Sequence, residues 1–187
     1  MADIRAKSKA GKLVDLIATE DGILIVTGEL SKTRTSKLLT ATTDYAAEDV
    51  MSDGSAWEFK NVVAIVGGGG YIVGARAMCG TTALTPTLTL YLFNATPTSA
   101  VTDNAANTAL LAADDGKYLG KIDFPVLEDL GGYSESLATP STYGNLPIPF
   151  VLDTNSRSIY GVLVTRLAIT GEAASMKMIL ELFVEAA

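Results

Sequence analysis

Apolar side chains recur at every second position in run after run of this chain, and the runs are short. Thr87–Phe93 (TLTLYLF) sets Leu88, Leu90 and Leu92 on one face and Thr89, Tyr91 and Phe93 on the other. Ser158–Arg166 divides into Ile159, Gly161, Leu163 and Thr165 against Tyr160, Val162, Val164 and Arg166. Met176–Val184 sets Met176, Met178, Leu180 and Leu182 opposite Lys177, Ile179, Glu181 and Phe183. On propensity alone that last run could also be helical. Its place as the final apolar run, with Phe and Val at its end, favours a strand. The remaining expected strands are Leu38–Thr43, Trp57–Val66, Tyr71–Met78, Tyr118–Phe124 and Ile148–Leu152.

Gly and Pro punctuate these runs. Gly67–Gly70 reads as a flexible hairpin loop, and Thr85-Pro86 breaks the chain before the next strand. Leu130–Pro149 is rich in Gly and Pro and reads as a long loop of the kind that makes contacts. One short helix is expected over Asn107–Asp115, closed by Gly116. Short strands with no β-α-β alternation define an all-β fold, an antiparallel β-sandwich of jelly-roll-like type. It carries one short helix and an extended N-terminal arm.

The arm is read from charge. Residues 1–37 hold seven basic groups against five acidic ones, while 38–187 hold seven against sixteen. The expected division is therefore an arm, 1–37, and a sandwich body, 38–187. Arg5, Lys7, Lys9 and Lys12 make the first residues basic. Ile23 and Ile25 lie in a run bracketed by Gly22 and Gly28, which reads as a strand able to add to a neighbour's sheet edge.

Composition removes several function classes. The chain has no histidine and one cysteine, Cys79. That excludes Ser-His-Asp and Cys-His nucleophile pairs, HExxH zinc sites, intrachain disulfides and Cys-based zinc sites. A net charge of −7 argues against duplex DNA as a partner. The glycine run Gly67–Gly70 is followed by Tyr71-Ile72 where a phosphate loop needs Lys and Ser or Thr. Glu48-Asp49 and Asp114-Asp115 are adjacent pairs, not carboxylates converging from separate elements. A calcium ion is conceivable at Asp103-Asn104 alone. No membrane span or signal peptide is expected, because charged residues and glycines interrupt the apolar stretches. The expectation is a non-enzyme without catalytic residues, cofactor or metal. With 48% hydrophobic and only 19% charged residues, it suits a subunit that buries surface against neighbours.

Several segments, in order, resemble a known family: Tyr45-Ala46-Ala47-Glu48-Asp49-Val50, Leu90-Tyr91-Leu92-Phe93-Asn94 with Pro97, Thr102-Asp103-Asn104-Ala105-Ala106, Tyr118-Leu119-Gly120-Lys121-Ile122, and Ile159-Tyr160-Gly161-Val162-Leu163-Val164-Thr165-Arg166. Over roughly residues 40–187 the chain is similar to small virion structural proteins of tailed bacteriophages, several of which are capsid decoration, or cement, proteins. The resemblance implies a β-sandwich without enzymatic activity. It would be made in the host cytoplasm and sit on the outer face of the capsid, bridging neighbouring major capsid subunits. A homo-oligomer is expected, a trimer ahead of a dimer, with no nucleic acid or membrane partner. The alternative is a receptor- or glycan-binding head-fibre or tail module. The expected partner-binding residues are Arg5, Lys7, Lys9, Lys12, Ile23, Ile25, Tyr133 and Tyr143.

Overall fold

The computed structural model describes residues 5–7, 13–15, 30–39, 44–81, 86–141, 145–170 and 176–186, the first two segments by backbone alone. Near the N-terminus, β1 (Arg5–Lys7) and β2 (Leu13–Asp15) pair antiparallel. The body strands are β3 (Leu30–Leu38), β4 (Trp57–Phe59), β5 (Gly69–Cys79), β6 (Leu88–Phe93), β7 (Tyr118–Phe124), β8 (Glu128–Asp129), β9 (Ser134–Ala138), β10 (Ile148–Val151), β11 (Ile159–Thr165) and β12 (Lys177–Ala186).

Every pairing is antiparallel. A large sheet runs β3-β12-β5-β9-β8, with β10 beside β5 end to end with β9. A smaller sheet runs β4-β11-β6-β7. If β9 and β10 are counted as one strand along the same edge of β5, and the two-residue β8 is set aside, the body is an eight-stranded jelly roll. In chain order its strands lie 1-8-3-6 in one sheet and 2-7-4-5 in the other, as the sequence led one to expect.

The alternation read from the sequence sets the core. Leu88, Leu90, Leu92, Ile159, Leu163, Met178, Leu180 and Leu182 all face between the sheets, with Ile72, Ala75, Ala77 and Cys79 from β5. Trp57 and Phe59 are fully buried there, and Trp57 Nε1 donates to Met51 O at 2.8 Å. The opposite face of the small sheet is covered as well. Phe93, Val162 and Val164 pack with Val50, against Val101 and Ala109 from the chain between β6 and β7. Jelly-roll core and covered outer face together bury most large apolar side chains, each contributing roughly 1.5–3 kcal/mol.

Several expectations change. Residues 30–37, assigned to the arm, pair along β12 and belong to the body. Of the expected strand Leu38–Thr43, only Leu38 is in a strand and 40–43 lie outside the described residues. Trp57–Val66 is a strand only to Phe59, because the chain turns through Asn61 at φ 54°. The long loop contains β9, and Gly69 and Gly70 are strand, not hairpin. The expected helix Asn107–Asp115 shrinks to one 3-10 turn, Ala112–Asp114. Asn107 Oδ1 accepts from Ala109 N there, a local turn that competes with helix.

Candidate interaction surface

The two sheets differ in what lies over their outer faces. The small sheet is closed by its own chain. Among the described residues nothing covers the large sheet. Its outward positions carry Leu30, Leu38, Tyr71, Leu137 and Val151, all between 41% and 68% exposed. Leu30, Tyr71 and Val151 lie toward one end of the face and Leu38 at the other, so exposed apolar groups flank its charged middle.

A charge cluster crosses the middle of this face. Glu181 on β12 stands directly between Arg34 on β3 and Arg76 on β5 in the strand register. Its carboxylate is only 2% exposed, lying under three cations. Lys32 Nζ is 3.3 Å away, Arg34 Nε 3.9 Å and Arg76 Nη1 3.5 Å. A buried carboxylate needs partners of this kind to remain ionised. Arg76 stacks at 5.9 Å over the Phe183 ring, and its Nε lies 3.5 Å from Glu135 Oε1, close enough for an ion pair but without hydrogen-bond alignment. Glu181 and Ile179 are each 2% exposed, while the Lys32 and Arg34 side chains stay about half exposed.

Charge is also sorted across the sheet. The β3 edge presents Lys32 and Arg34. The far edge presents Glu135 on β9 and, directly opposite it across the strand pair, Glu128 on β8. Like charges facing one another across a strand pair cost stability, on the order of 0.2–1 kcal/mol.

Of the residues expected to bind partners, Tyr133 joins this surface. It is 42% exposed, and its ring flanks Gly80 and Lys177 at the end of β5 and β12. Arg5 and Lys7 lie on β1, opposite Asp15 and Leu13. Lys9, Lys12, Ile23, Ile25 and Tyr143 lie outside the described residues. The sequence reading passed over Lys32, Arg34, Arg76, Glu128, Glu135 and Glu181. The available signal was the polar member of each alternating run, most plainly Lys177-x-Ile179-x-Glu181-x-Phe183.

Asp103, the residue considered for calcium, serves the fold. Its Oδ1 accepts from Tyr45 O–H at 2.8 Å and Ser52 N at 2.9 Å. Burial, followed by that carboxylate, pushes the Tyr45 phenol far above its ordinary value. Among the described residues no group of three or more acidic or cysteine side chains converges. A separate polar cleft of about 250 Å³ lies at the end of the small sheet, lined by Asn94, Thr96, Asp153, Asn155 and Tyr160. No helix among the described residues is long and apolar enough to cross a membrane, which says nothing of a β-barrel.

No known protein family matches the chain, and no curated protein matches it. Distantly similar solved structures include these three. One is a glycoside hydrolase family 43 arabinoxylan arabinofuranohydrolase from Bacillus subtilis in complex with cellotetraose, at 11% identity and TM-score 0.31, covering 98% of this chain and 33% of that one. The others are Triatoma virus, at 12%, TM-score 0.25 and coverage of 86% and 64%, and an Israeli acute paralysis virus full particle, at 11%, TM-score 0.28 and coverage of 86% and 72%. The chain spans less than two thirds of the first two. At these scores the likeness is too slight to build on, and the class of the protein, an antiparallel jelly-roll sandwich, rests on its own strand pairing.

Proposed function

We propose that the protein is a structural component of a virion that decorates and cements a phage capsid by bridging neighbouring major capsid subunits. The observation that carries this reading is the open outer face of the large sheet, on a body whose other sheet is largely covered by its own chain. A chain that leaves exposed Leu, Tyr and Val side chains on one flat face is built to be covered by another protein surface. Jelly rolls serve in viral capsids and in lectins, which fits this use by fold-level analogy. The role is passive. Asp114 and Glu181, the fully buried carboxylates of the body, are tied into hydrogen bonds and ion pairs that hold the structure.

Shell attachment falls to the basic N-terminal residues, which meet an acidic capsid surface on the outside of the particle. Removing residues 1–29 stops short of β3, so the body is expected to keep its thermal unfolding profile while its retention on purified capsids drops. Unchanged retention would remove the arm from the tether. Copy number tests the role as a whole. Quantitative mass spectrometry of purified particles is expected to find this chain at levels comparable with the major capsid protein, whereas a handful per particle would contradict cementing.

The polar cleft favours a second reading, a glycan-binding head-fibre or tail module, since amides and a carboxylate beside a tyrosine ring suit a sugar's hydroxyls. Glycan-array binding lost on Asp153→Ala would support it.

A further inference from the structure

We infer that the open face of the large sheet is covered by a second copy of this chain, related by a twofold axis that runs along the strands through β5. This rests on the reading of a subunit that buries this face against protein and names a second copy as what covers it, leaving shell attachment to the N-terminal residues. The argument is charge complementarity. Sheets stack face to face about 10 Å apart with strands nearly aligned, so two in-plane twofold axes are available. An axis across the strands lays β3 on β3 of the second copy, and sets Lys32 and Arg34 against the same cations. The edge that holds Glu128 and Glu135 then also meets itself. An axis along the strands reverses the sheet order instead. It lays β3 over β8 and β12 over β9, so that Glu128 of the second copy lies over Ser36, two residues from Arg34, and its Glu135 lies over Ile179, two residues from Lys177, within reach of these long side chains.

Two features of the single chain agree with that choice. Glu128 and Glu135 face each other at one edge, a repulsion that cations from outside would relieve. Three cations crowd one carboxylate, Glu181, toward the other edge, leaving positive charge unneutralised there. Arg76 pairs with Glu135 within the chain, but Glu128 at one edge, and Lys32 and Arg34 sharing Glu181 at the other, keep charge that the opposite edge of a copy complements. Met78 and Tyr71 on β5 lie along the axis and meet their own counterparts, as an isologous interface requires. Leu137 becomes buried beside them. The self-complementary face supports a dimer, held in the sequence reading as second to a trimer.

The test uses the purified full-length chain and sedimentation equilibrium. The wild type is expected to be a dimer. A basic-edge variant, Arg34→Glu with Lys177→Glu, and an acidic-edge variant, Glu128→Lys with Glu135→Lys, should each dimerise about tenfold more weakly or worse. Mixed in equal amounts, the two should form a heterodimer, because every like-charge contact becomes an opposite-charge one. Leu137→Asp, at an exposed position, is expected to keep the wild-type circular dichroism and to be monomeric, so a misfolded edge variant would not leave the question open. A monomeric wild type overturns the inference, and so does one that dimerises only after residues 1–29 are removed. So too does a trimer, or dimerisation unchanged in all three variants. None of these results depends on capsid binding, so failure here and failure of the cementing role are separable.

Discussion

Replacing Asp114 with alanine is expected to lower stability by about 3–5 kcal/mol, in the range of a broken buried charge network. In a domain of this size that is a drop of about 6–20 °C in melting temperature. Asp114 has no exposed surface. Its two oxygens accept from Thr98 N, Thr98 Oγ1, Ser99 N, Ser99 Oγ and Lys117 Nζ, at 2.8–3.1 Å. Those bonds clamp the two ends of the chain that crosses the outer face of the small sheet. Without the carboxylate, two backbone N–H groups and two hydroxyls lose their acceptor, each unsatisfied group costing roughly 1–3 kcal/mol if it stays buried. The cover carrying Val101 and Ala109 then loosens from Phe93, Val162 and Val164.

The same residue gives an acid limb. Burial on its own would raise the Asp114 pKa, but the donors from Thr98, Ser99 and Lys117 outweigh it and hold the carboxyl far below the ordinary aspartate value. A carboxyl lowered by folding contributes stability that is complete above the unfolded value, near 3.8, and is lost as pH falls through the folded one. Denaturant titrations between about pH 7 and about pH 3 should therefore show a steeper loss in the wild type than in Asp114→Asn. Parallel curves for the two would reject the clamp.

Gly70→Ala is the second large effect. A Cβ on Gly70 would sit 2.3 Å from Glu185 O, and one on the neighbouring Gly69 2.6 Å from Phe150 O. Both contacts are to backbone, which cannot swing aside as a flexible side chain could. Gly70 is held between Ala186 of β12 and Phe150 of β10, so relief requires β12 to part from the end of β5. The expected cost is about 2–4 kcal/mol, at or above the usual range for overpacking. Gly132→Ala is the matched control, since a Cβ there meets nothing within 4 Å. Equal melting temperatures for the two variants would contradict the close approach.

These glycines illustrate where the sequence was readable and where it was not. A run of four glycines looks like a flexible connection, yet two of them are glycine because neighbouring backbones approach too closely for a side chain. Strands β6, β11 and β12 were legible because each turns a run of apolar side chains at every second position into the core, and alternation sorts each set of side chains correctly. Strands β3 and β9 were not, and the reason is shared. Their inward positions include Thr33 and Lys37 on β3, and Ser134 and Ser136 on β9, all buried but polar. Each is satisfied from outside its strand. Lys37 Nζ donates to Asp53 and to Ser55 and lies 5.4 Å over the Trp57 ring. The Ser134 and Ser136 hydroxyls donate to Thr81 O and Pro125 O. A strand that buries hydrogen-bonded polar groups shows no apolar period, so pattern reading takes it for arm or loop. The candidate surface was hidden for a related reason. Glu181 reads as the solvent side of an amphipathic strand until the register brings Arg34 and Arg76 to its flanks.

The lateral limits of the sheets bear on how the protein survives crowding. Strand β8 is two residues long and β4 only three, while β3, the longest boundary strand, carries Lys32 and Arg34 on its outer face and β7 carries Lys121. Short or cationic boundaries give an incoming strand few hydrogen-bonding groups to copy and a repulsive row of ammonium and guanidinium heads. Many copies can therefore accumulate side by side without their main chains zipping into fibres, and association is left to side-chain chemistry.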